Sequence, residues 1–400
     1  MGAVLYEFPE LADVDGRVIQ GIEDYRQRLR YFLGVPRRWR GQLRRNLRAR
    51  AMQGSNSIEG YEVSLDDAIA ILDNDDEALD ADQLTVLEVT GYRNAMTYVQ
   101  QLASDPDFVL DQSLVRGLHF MMLGHDLDKS PGAYRRGTIY VHDEDRGEIV
   151  YEGPDHELVP GLMANLVQQL DYLDDNNTER SIFVTAAMAH LNLVMIHPFR
   201  DGNGRMARCL QTLILSRNQI LGQEFASIEE WLGRNTAAYY DVLGRTGQGS
   251  WHPENDALPW VRFNLMAHHM QAQTVWFRVQ ESEALWEALE GMLNARGLPQ
   301  RAVSGLFSAA LGLRLRRATY QDQAGIEVVT ANRDLKTLVD AGLLVPRGET
   351  RGRFYVGTDA LRAVYTEIRA EYRGRVVNPY DALADIPPGP LAEPLERTLF

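Results

Sequence analysis

The stretch Ile182 to Ile196 is apolar at nearly every position, broken only by Thr185, His190 and Asn192. Such a run reads as a helix buried on most of its faces. It is short for a membrane span and is flanked by Glu179 and Arg180, so protein rather than lipid must cover it. With the further helices expected along the chain, the expectation is a mainly α fold.

The residues directly after this run are chemically dense: His197-Pro198-Phe199-Arg200-Asp201-Gly202-Asn203-Gly204-Arg205-Met206-Ala207-Arg208. Pro198 should end the first helix, Gly202 to Gly204 should make the turn, and a second helix should start near Gly204 and run to Arg217. A glycine-flanked turn opening a helix leaves backbone N–H groups aimed at one spot, an anion site suited to a phosphate chain. Arg205 and Arg208, three apart, can both lean toward one polyphosphate. Asp201 lies at the mouth of the cradle, where a carboxylate beside phosphates is a natural Mg²⁺ ligand. His197 can accept a proton at neutral pH. Two other readings fail. A P-loop needs Lys-Ser/Thr after the last glycine, but Arg205 and Met206 stand there. A calcium loop started at Asp201 would have Arg205 and Met206 at its fifth and sixth positions.

The segment resembles the signature of the Fic family, His-Pro-Phe-x-Asp/Glu-Gly-Asn-Gly-Arg-x-x-Arg, and matches it at every fixed position. The resemblance implies a helical Fic core and transfer of AMP from ATP to a Ser, Thr or Tyr hydroxyl of a target protein. His197 would then deprotonate the hydroxyl, and Asp201 would hold Mg²⁺ between the α- and β-phosphates. Gly202, Asn203 and Gly204 would cradle phosphate oxygens, and Arg205 and Arg208 would hold the β/γ end. A kinase-like relative with Lys in place of the second glycine is argued against by Gly204.

Three further segments resemble parts of the same family. Ser55-Asn56-Ser57-Ile58-Glu59-Gly60 is similar to the inhibitory motif Ser/Thr-x-x-x-Glu-Gly/Asn. There a helix glutamate, here Glu59, pairs with the second arginine, here Arg208, and blocks the ATP γ-phosphate. The run from Gly132 to Val141, then Asp143 to Gly147 and Ile149-Val150-Tyr151, reads as two short strands with a turn. It resembles the family's flap (about 134–152), in which Ile139, Tyr140, Val141 and His142 would dock the target by strand addition. Arg234 to Tyr240 looks like the segment that closes over adenine, with Tyr239 or Tyr240 stacking on the base or serving as an ordinary aromatic.

The chain has 400 residues, enough for two or three domains. A net charge of −15 argues against broad nucleic-acid or anionic-membrane binding. Its one cysteine, Cys209, cannot form an internal disulfide and suits a reducing cytoplasm. Cys209 is expected as a small core residue. The N-terminus shows neither a signal peptide nor a myristoylation pattern. Residues 18–74 read as amphipathic helix interrupted at Gly34-Val35-Pro36, and further helices are expected around 80–103, 111–123 and 158–173.

The organisation expected is an N-terminal helical region (1–105) carrying the inhibitory helix (about 55–60), a Fic core (106–295), and a unit over 296–375 ahead of a Pro-rich tail (376–400), an extended arm. In the 296–375 unit a helix, a glycine turn, a second helix and a charged hairpin look like a winged helix-turn-helix. Its basic residues (Arg314, Arg316, Arg317, Arg333, Lys336, Arg347, Arg351, Arg353) leave both DNA contact and protein docking or homodimer formation open. Two alternatives to AMP transfer also stand: a DNA-binding regulator whose Fic core senses nucleotide, and removal of AMP with Glu59 positioning water.

Overall fold

A computed structural model describes residues 4–143, 147–175, 180–218, 227–349 and 352–384. In chain order the helices are α1 (Asp13–Gly34), α2 (Arg40–Ser57), α3 (Leu65–Asp73), α4 (Gln83–Leu102) and α5 (Gln112–Leu123), followed by the hairpin β1 (Tyr140–Asp143) and β2 (Glu148–Glu152). Then come α6 (Val159–Asp175), α7 (Ile182–Ile196), α8 (Asn203–Arg217), α9 (Glu229–Arg234), α10 (Thr236–Gly247) and the 38-residue α11 (Leu258–Ala295). The C-terminal part holds α12 (Val303–Ala310), α13 (Arg317–Ala324), α14 (Val328–Asp340), β3 (Leu344–Arg347), β4 (Phe354–Gly357), α15 (Asp359–Tyr372) and α16 (Pro379–Ala384).

Helix starts follow their capping residues. The side chains of Ser64, Asp82, Asp111 and Thr358 accept from backbone N–H groups in the first turns of α3, α4, α5 and α15, satisfying donors that the helix itself leaves free. Asn74 and Gly325 end α3 and α13 in the left-handed conformation.

The uniformly apolar run is α7, and its position explains its composition. Ala189, Leu193 and Ile196 face one core with α4, α5, α6 and α8, while Phe183, Val184, Ala187, Leu191 and Met195 face a second core with α10 and the first half of α11. A helix between two cores has no face left for water. Its polar residues are satisfied within the core. Asn192 accepts from the Tyr6 N–H at 2.9 Å and donates to the Met188 carbonyl at 3.0 Å. His190 contacts Gln211 Oε1 at 2.6 Å and the Tyr239 hydroxyl at 2.9 Å.

The second half of α11 (Val275, Val279, Leu285, Leu289) enters a third core, shared by Leu29 and Leu33 of α1, Leu43 and Leu47 of α2, and the C-terminal helices. One helix thus spans both parts of the molecule. In the C-terminal part, α12 is followed by an antiparallel bridge of Leu315 with Tyr355, then α13, Gly325, α14 and the β3–β4 hairpin. A helix, a glycine turn, a second helix and a hairpin thus follow one another there. Arg314 and Arg316 are not free on its surface. Arg314 pairs with Asp66 and Asp80, and Arg316 with Asp75. Arg351 lies outside the described residues.

The structure departs from the sequence expectations in three places. The helical stretch expected over 18–74 breaks a second time between α2 and α3, where Gly60 is left-handed (φ 83°), so Glu59 sits on a turn just past α2 and not within a helix. Of the first flap segment only residues from Tyr140 onward form a strand; residues 132–139 are irregular, held instead by the side chains of His119 and Arg135. The turn residues Glu144, Asp145 and Arg146 lie outside the described residues. The tail is not wholly extended: α16 packs against α1, with the Tyr380 hydroxyl donating to Asp15 at 3.0 Å, and residues 385–400 are outside the described set.

α2 crosses α9 at very close range. A Cβ on Gly54 would stand 2.5 Å from the Glu229 carbonyl oxygen and 2.8 Å from the Glu230 Cα, and a Cβ on Gly233 would stand 2.6 Å from the Gly54 Cα. Glycine is used here for approach, not for φ. Gly54→Ala is therefore expected to cost about 1–3 kcal/mol in denaturant unfolding. Gly41→Ala in the same helix, where nothing lies within 4 Å of an added Cβ, should be neutral or stabilising. Equal effects of the two substitutions would refute the close crossing.

Candidate active site

The turn between α7 and α8 is built from its own residues. His197 adopts the left-handed conformation (φ 50°) and caps α7 through its N–H to the Leu193 carbonyl, and Gly202 (φ 75°) precedes α8. Asn203 braces the turn from within: the Phe199 N–H donates to its Oδ1 and its Nδ2 donates to the Phe199 carbonyl, both at 2.9 Å. Its side chain is thus committed to the loop, and only its backbone can serve an anion. The first bond into α8 runs from the Met206 N–H to the Gly202 carbonyl, so the N–H groups of Asn203, Gly204 and Arg205 precede it and have no acceptor within the helix.

His197 Nδ1 donates to the Val194 carbonyl at 3.0 Å. That bond fixes the neutral tautomer and leaves Nε2 as the acceptor. Burial lowers the pKa of the ring, opposed by the bond to Val194, so the imidazole is neutral at pH 7.

Arg208 is 1% exposed. Its Nε donates to Ser55 Oγ at 2.7 Å, and its Nη2 donates to the Ser55 carbonyl at 2.8 Å and to Glu59 Oε1 at 2.7 Å. Its Nη1 is buried with no hydrogen-bond partner and lies 3.2 Å from where a Cβ on Gly204 would be. The Glu59 carboxylate also crowds that Cβ position. An anionic group therefore already stands at the first turn of α8. Any side chain at 204 would collide with it.

The other motif arginine points elsewhere. Arg205 is fully buried and pairs with Glu88 Oε2 at 2.6 Å, with its guanidinium 5.3 Å from the centre of the Tyr61 ring. The structure thus separates Arg205 from Arg208 rather than aiming both at one point. Glu88 is buried, which alone would raise its pKa, but Arg205 and Lys129 hold it down at about 2. Asp201 is 39% exposed; its Oδ1 accepts from the Gly202 N–H at 2.6 Å and its Oδ2 meets Lys129 Nζ at 2.8 Å. Among the described residues no cluster of three or more His, Cys, Asp or Glu could hold a metal. A single carboxylate still suits Mg²⁺, which is commonly held by one or two carboxylates with phosphates completing its shell. The Asp201 carboxylate fits such a role, since it already accommodates a cation.

The two tyrosines resolve differently. Tyr239 is 1% exposed, its hydroxyl bonded to His190 and its ring edge-on to that histidine. It is a core residue without a free face for a base. Tyr240 is 48% exposed and donates to the Ile58 carbonyl at 3.1 Å, beside Glu59. In the flap, Tyr140 is exposed and Val141 partly buried, and Ile139 lies against Gly153 next to His197. β1 pairs with β2, with a register shift between Val141 and His142. Among the described residues its other edge carries no strand. Cys209 is buried, which pushes its thiol up and makes it an inert core residue.

Two residues that sequence reasoning did not assign hold the site together. Arg135 donates to the carbonyls of His197 (2.8 Å), Gly137 (2.8 Å) and Pro154 (2.5 Å), tying the base of the flap to the histidine. His119 stacks on Phe199 with ring centres 3.7 Å apart, accepts from the Gly132 N–H through Nδ1 at 2.8 Å, and contacts the Asp201 carbonyl through Nε2 at 2.9 Å. Because Nδ1 accepts, Nε2 carries the proton and donates.

These features define a helical domain in which backbone N–H groups with no acceptor within their helix, a neutral histidine and a carboxylate lie at one turn. Residues 109–215 match the model of the Fic/DOC family. The protein adenylyltransferase Fic of Culex quinquefasciatus is 32% identical over 219 residues, covering 52% of this chain and 38% of the relative. The protein of the same name in Nematostella vectensis is 28% identical over 214 residues, covering 52% and 44%. The chain thus spans less than half the length of these curated relatives. Among solved structures, a Fic family protein from Desulfovibrio desulfuricans superposes with a TM-score of 0.56 at 21% identity, covering 88% of this chain and 98% of that one. A Fic-1 fragment from C. elegans gives 0.54 at 22% identity, covering 67% and 73%. These two share the fold. Among the described residues no helix is long and apolar enough to cross a membrane.

Burial lowers the His119 pKa from 6.5 to about 4. Between those values the unfolded chain takes up a proton that the folded chain refuses. This contribution to stability is therefore complete above pH 6.5 and lost as the pH falls toward 4. In denaturant melts across that window, His119→Gln should flatten the pH dependence by up to one proton, about 1.4 kcal/mol per pH unit. Parallel curves for the two proteins would contradict the neutral assignment.

Proposed function

We propose that the protein moves AMP from ATP to Ser, Thr or Tyr hydroxyls of target proteins and that Glu59 restrains this activity. The observation that carries the reading is the Arg208 guanidinium, buried, with one nitrogen unpartnered beside Gly204 and another on Glu59. A buried cation at a helix N-terminus next to a neutral histidine is an arrangement for polyphosphate and a proton acceptor together. The name protein adenylyltransferase carried by its curated relatives supports the same chemistry.

The N–H groups at the start of α8 and Arg208 bind and orient the phosphates. His197 Nε2 takes the proton from the target hydroxyl. The freed oxygen forms a bond to the α-phosphorus as the bond to the β-phosphate oxygen breaks, and pyrophosphate leaves. The protein contributes position and charge, the usual division of labour in phosphoryl-type transfer. Asp201 would hold Mg²⁺, which would supply charge neutralisation for the phosphates. The open edge of β1 would align the target segment by backbone pairing, with Tyr140 exposed on the same strand. Tyr240, which is exposed, would cover a bound base, whereas Tyr239 is buried.

Restraint follows from electrostatics. Arg208 can serve the Glu59 carboxylate or a terminal phosphate, and two anions at one guanidinium repel. With α-labelled ATP and Mg²⁺, Glu59→Gly should raise transfer, including self-labelling, by at least about tenfold, equal to about 1.4 kcal/mol. His197→Ala should lower it by about 10²–10⁴-fold, and the double variant should show no gain. Wild-type labelling by Glu59→Gly at saturating ATP would end the inhibitory assignment.

A further inference from the structure

Lysine is used at only two positions of this arginine-rich chain, 129 and 336. Lys129 ends a short 3₁₀ turn (Leu127–Lys129) that follows α5. Its Nζ lies 2.8 Å from Asp201 Oδ2 and 2.7 Å from Glu88 Oε1. One ammonium is thus shared between a half-exposed carboxylate at the phosphate cradle and a fully buried one on α4. Around Glu88 the same hub collects Arg205 at 2.6 Å, the Tyr61 hydroxyl donating at 3.1 Å, and His125 Nε2 at 3.2 Å. Glu88 and Asp201 carry two negative charges; Lys129 and Arg205 carry two positive charges. The hub is balanced with no added ion.

A divalent cation on Asp201 would disturb that balance. It would bring two further positive charges to a carboxylate whose Oδ2 already holds an ammonium, and like charges so close repel strongly. Lys129 has somewhere to go, because Glu88 holds it independently at 2.7 Å. The residue type suits such a move. An ammonium on a flexible four-carbon stem can shift between two acceptors, whereas an arginine fork would lock onto one of them.

We propose that Lys129 is a resident counter-cation of Asp201 that competes with the divalent metal for this carboxylate and withdraws onto Glu88 when the metal binds, so that it sets the metal affinity of the site. The inference rests on the proposed role of Asp201 as metal ligand. It is separate from the Glu59 restraint, which acts on Arg208.

The test is a titration of Mn²⁺, followed by electron paramagnetic resonance, into the full chain saturated with α,β-methylene ATP. Wild type is compared with Lys129→Gln, Lys129→Met, Lys129→Arg and Asp201→Asn. The Gln amide can still donate to Glu88, so this variant keeps the hub bonded if Lys129→Met does not fold. Removal of the charge should tighten Mn²⁺ about tenfold, Lys129→Arg should not tighten it, and Asp201→Asn should weaken it and erase the gain of Lys129→Gln. If Lys129→Gln bound Mn²⁺ no more tightly than wild type while Asp201→Asn still weakened binding, competition by Lys129 would be overturned and the metal ligand kept. Indifference of Mn²⁺ to Asp201→Asn would overturn both.

Discussion

The arrangement of the candidate site turns on one charge, the guanidinium of Arg208. It is buried, and a buried cation is tolerated only when bonded on several sides. Ser55 supplies two of those bonds and Glu59 a third. The remaining nitrogen is left toward Gly204. Because Ser55 and Glu59 lie at the end of α2 and just beyond it, the position of that helix decides how Arg208 is satisfied. A displacement of α2 would expose an unpaired charge at the start of α8, where a phosphate could replace the carboxylate.

α2 is held from several directions. Gly54 lets it touch the α9 backbone. Glu230 of α9, buried, pairs with Arg278 of α11 at 2.5 Å and with Arg234 at 2.6 Å. At its other end Gln42 donates to the Ser304 carbonyl at 2.9 Å and to Gln323 at 3.1 Å, and Leu43 and Leu47 enter the core of the C-terminal part. The division into an N-terminal region, a Fic core and a C-terminal unit expected from sequence is thus crossed by α2 as well as by α11. The two ends of α2 belong to different cores, so the helix that presents Ser55 also packs into the C-terminal part.

Local chemistry made α7 and the turn after it legible in the sequence. An unbroken apolar run allows few alternatives, and Pro198, Gly202 and Gly204 punctuate the chain where it turns. The features that were not legible depend on partners distant in sequence. Glu88 and Lys129 looked like ordinary charged residues, because nothing in their neighbourhoods shows that Arg205 and Asp201 will meet them. Arg135 sat within an expected strand, yet its bonds run to carbonyls as far along the chain as His197. His119 lay in an expected helix with no signal that Phe199 would stack on it. Tyr239 and Tyr240 could not be told apart by letter alone. On a helix, consecutive residues are rotated by about 100°, so one tyrosine enters the core while its neighbour faces outward.

The side-chain bonds of the turn have a common consequence. Asn203, His119 and Arg135 use their polar atoms on backbone groups of the loop or flap, not on solvent. Donors fixed in this way need little reorganisation when charge arrives, which is the condition under which oriented dipoles stabilise a developing charge best. Three other features stand around this braced turn: Glu59 just past α2, Lys129 between two carboxylates, and the edge of β1 that carries no partner strand among the described residues. Under the proposed function, the backbone donors at the start of α8 would fix where the phosphates lie. Glu59 and Lys129 would then govern whether they are admitted, which would separate restraint at Arg208 from proton transfer at His197.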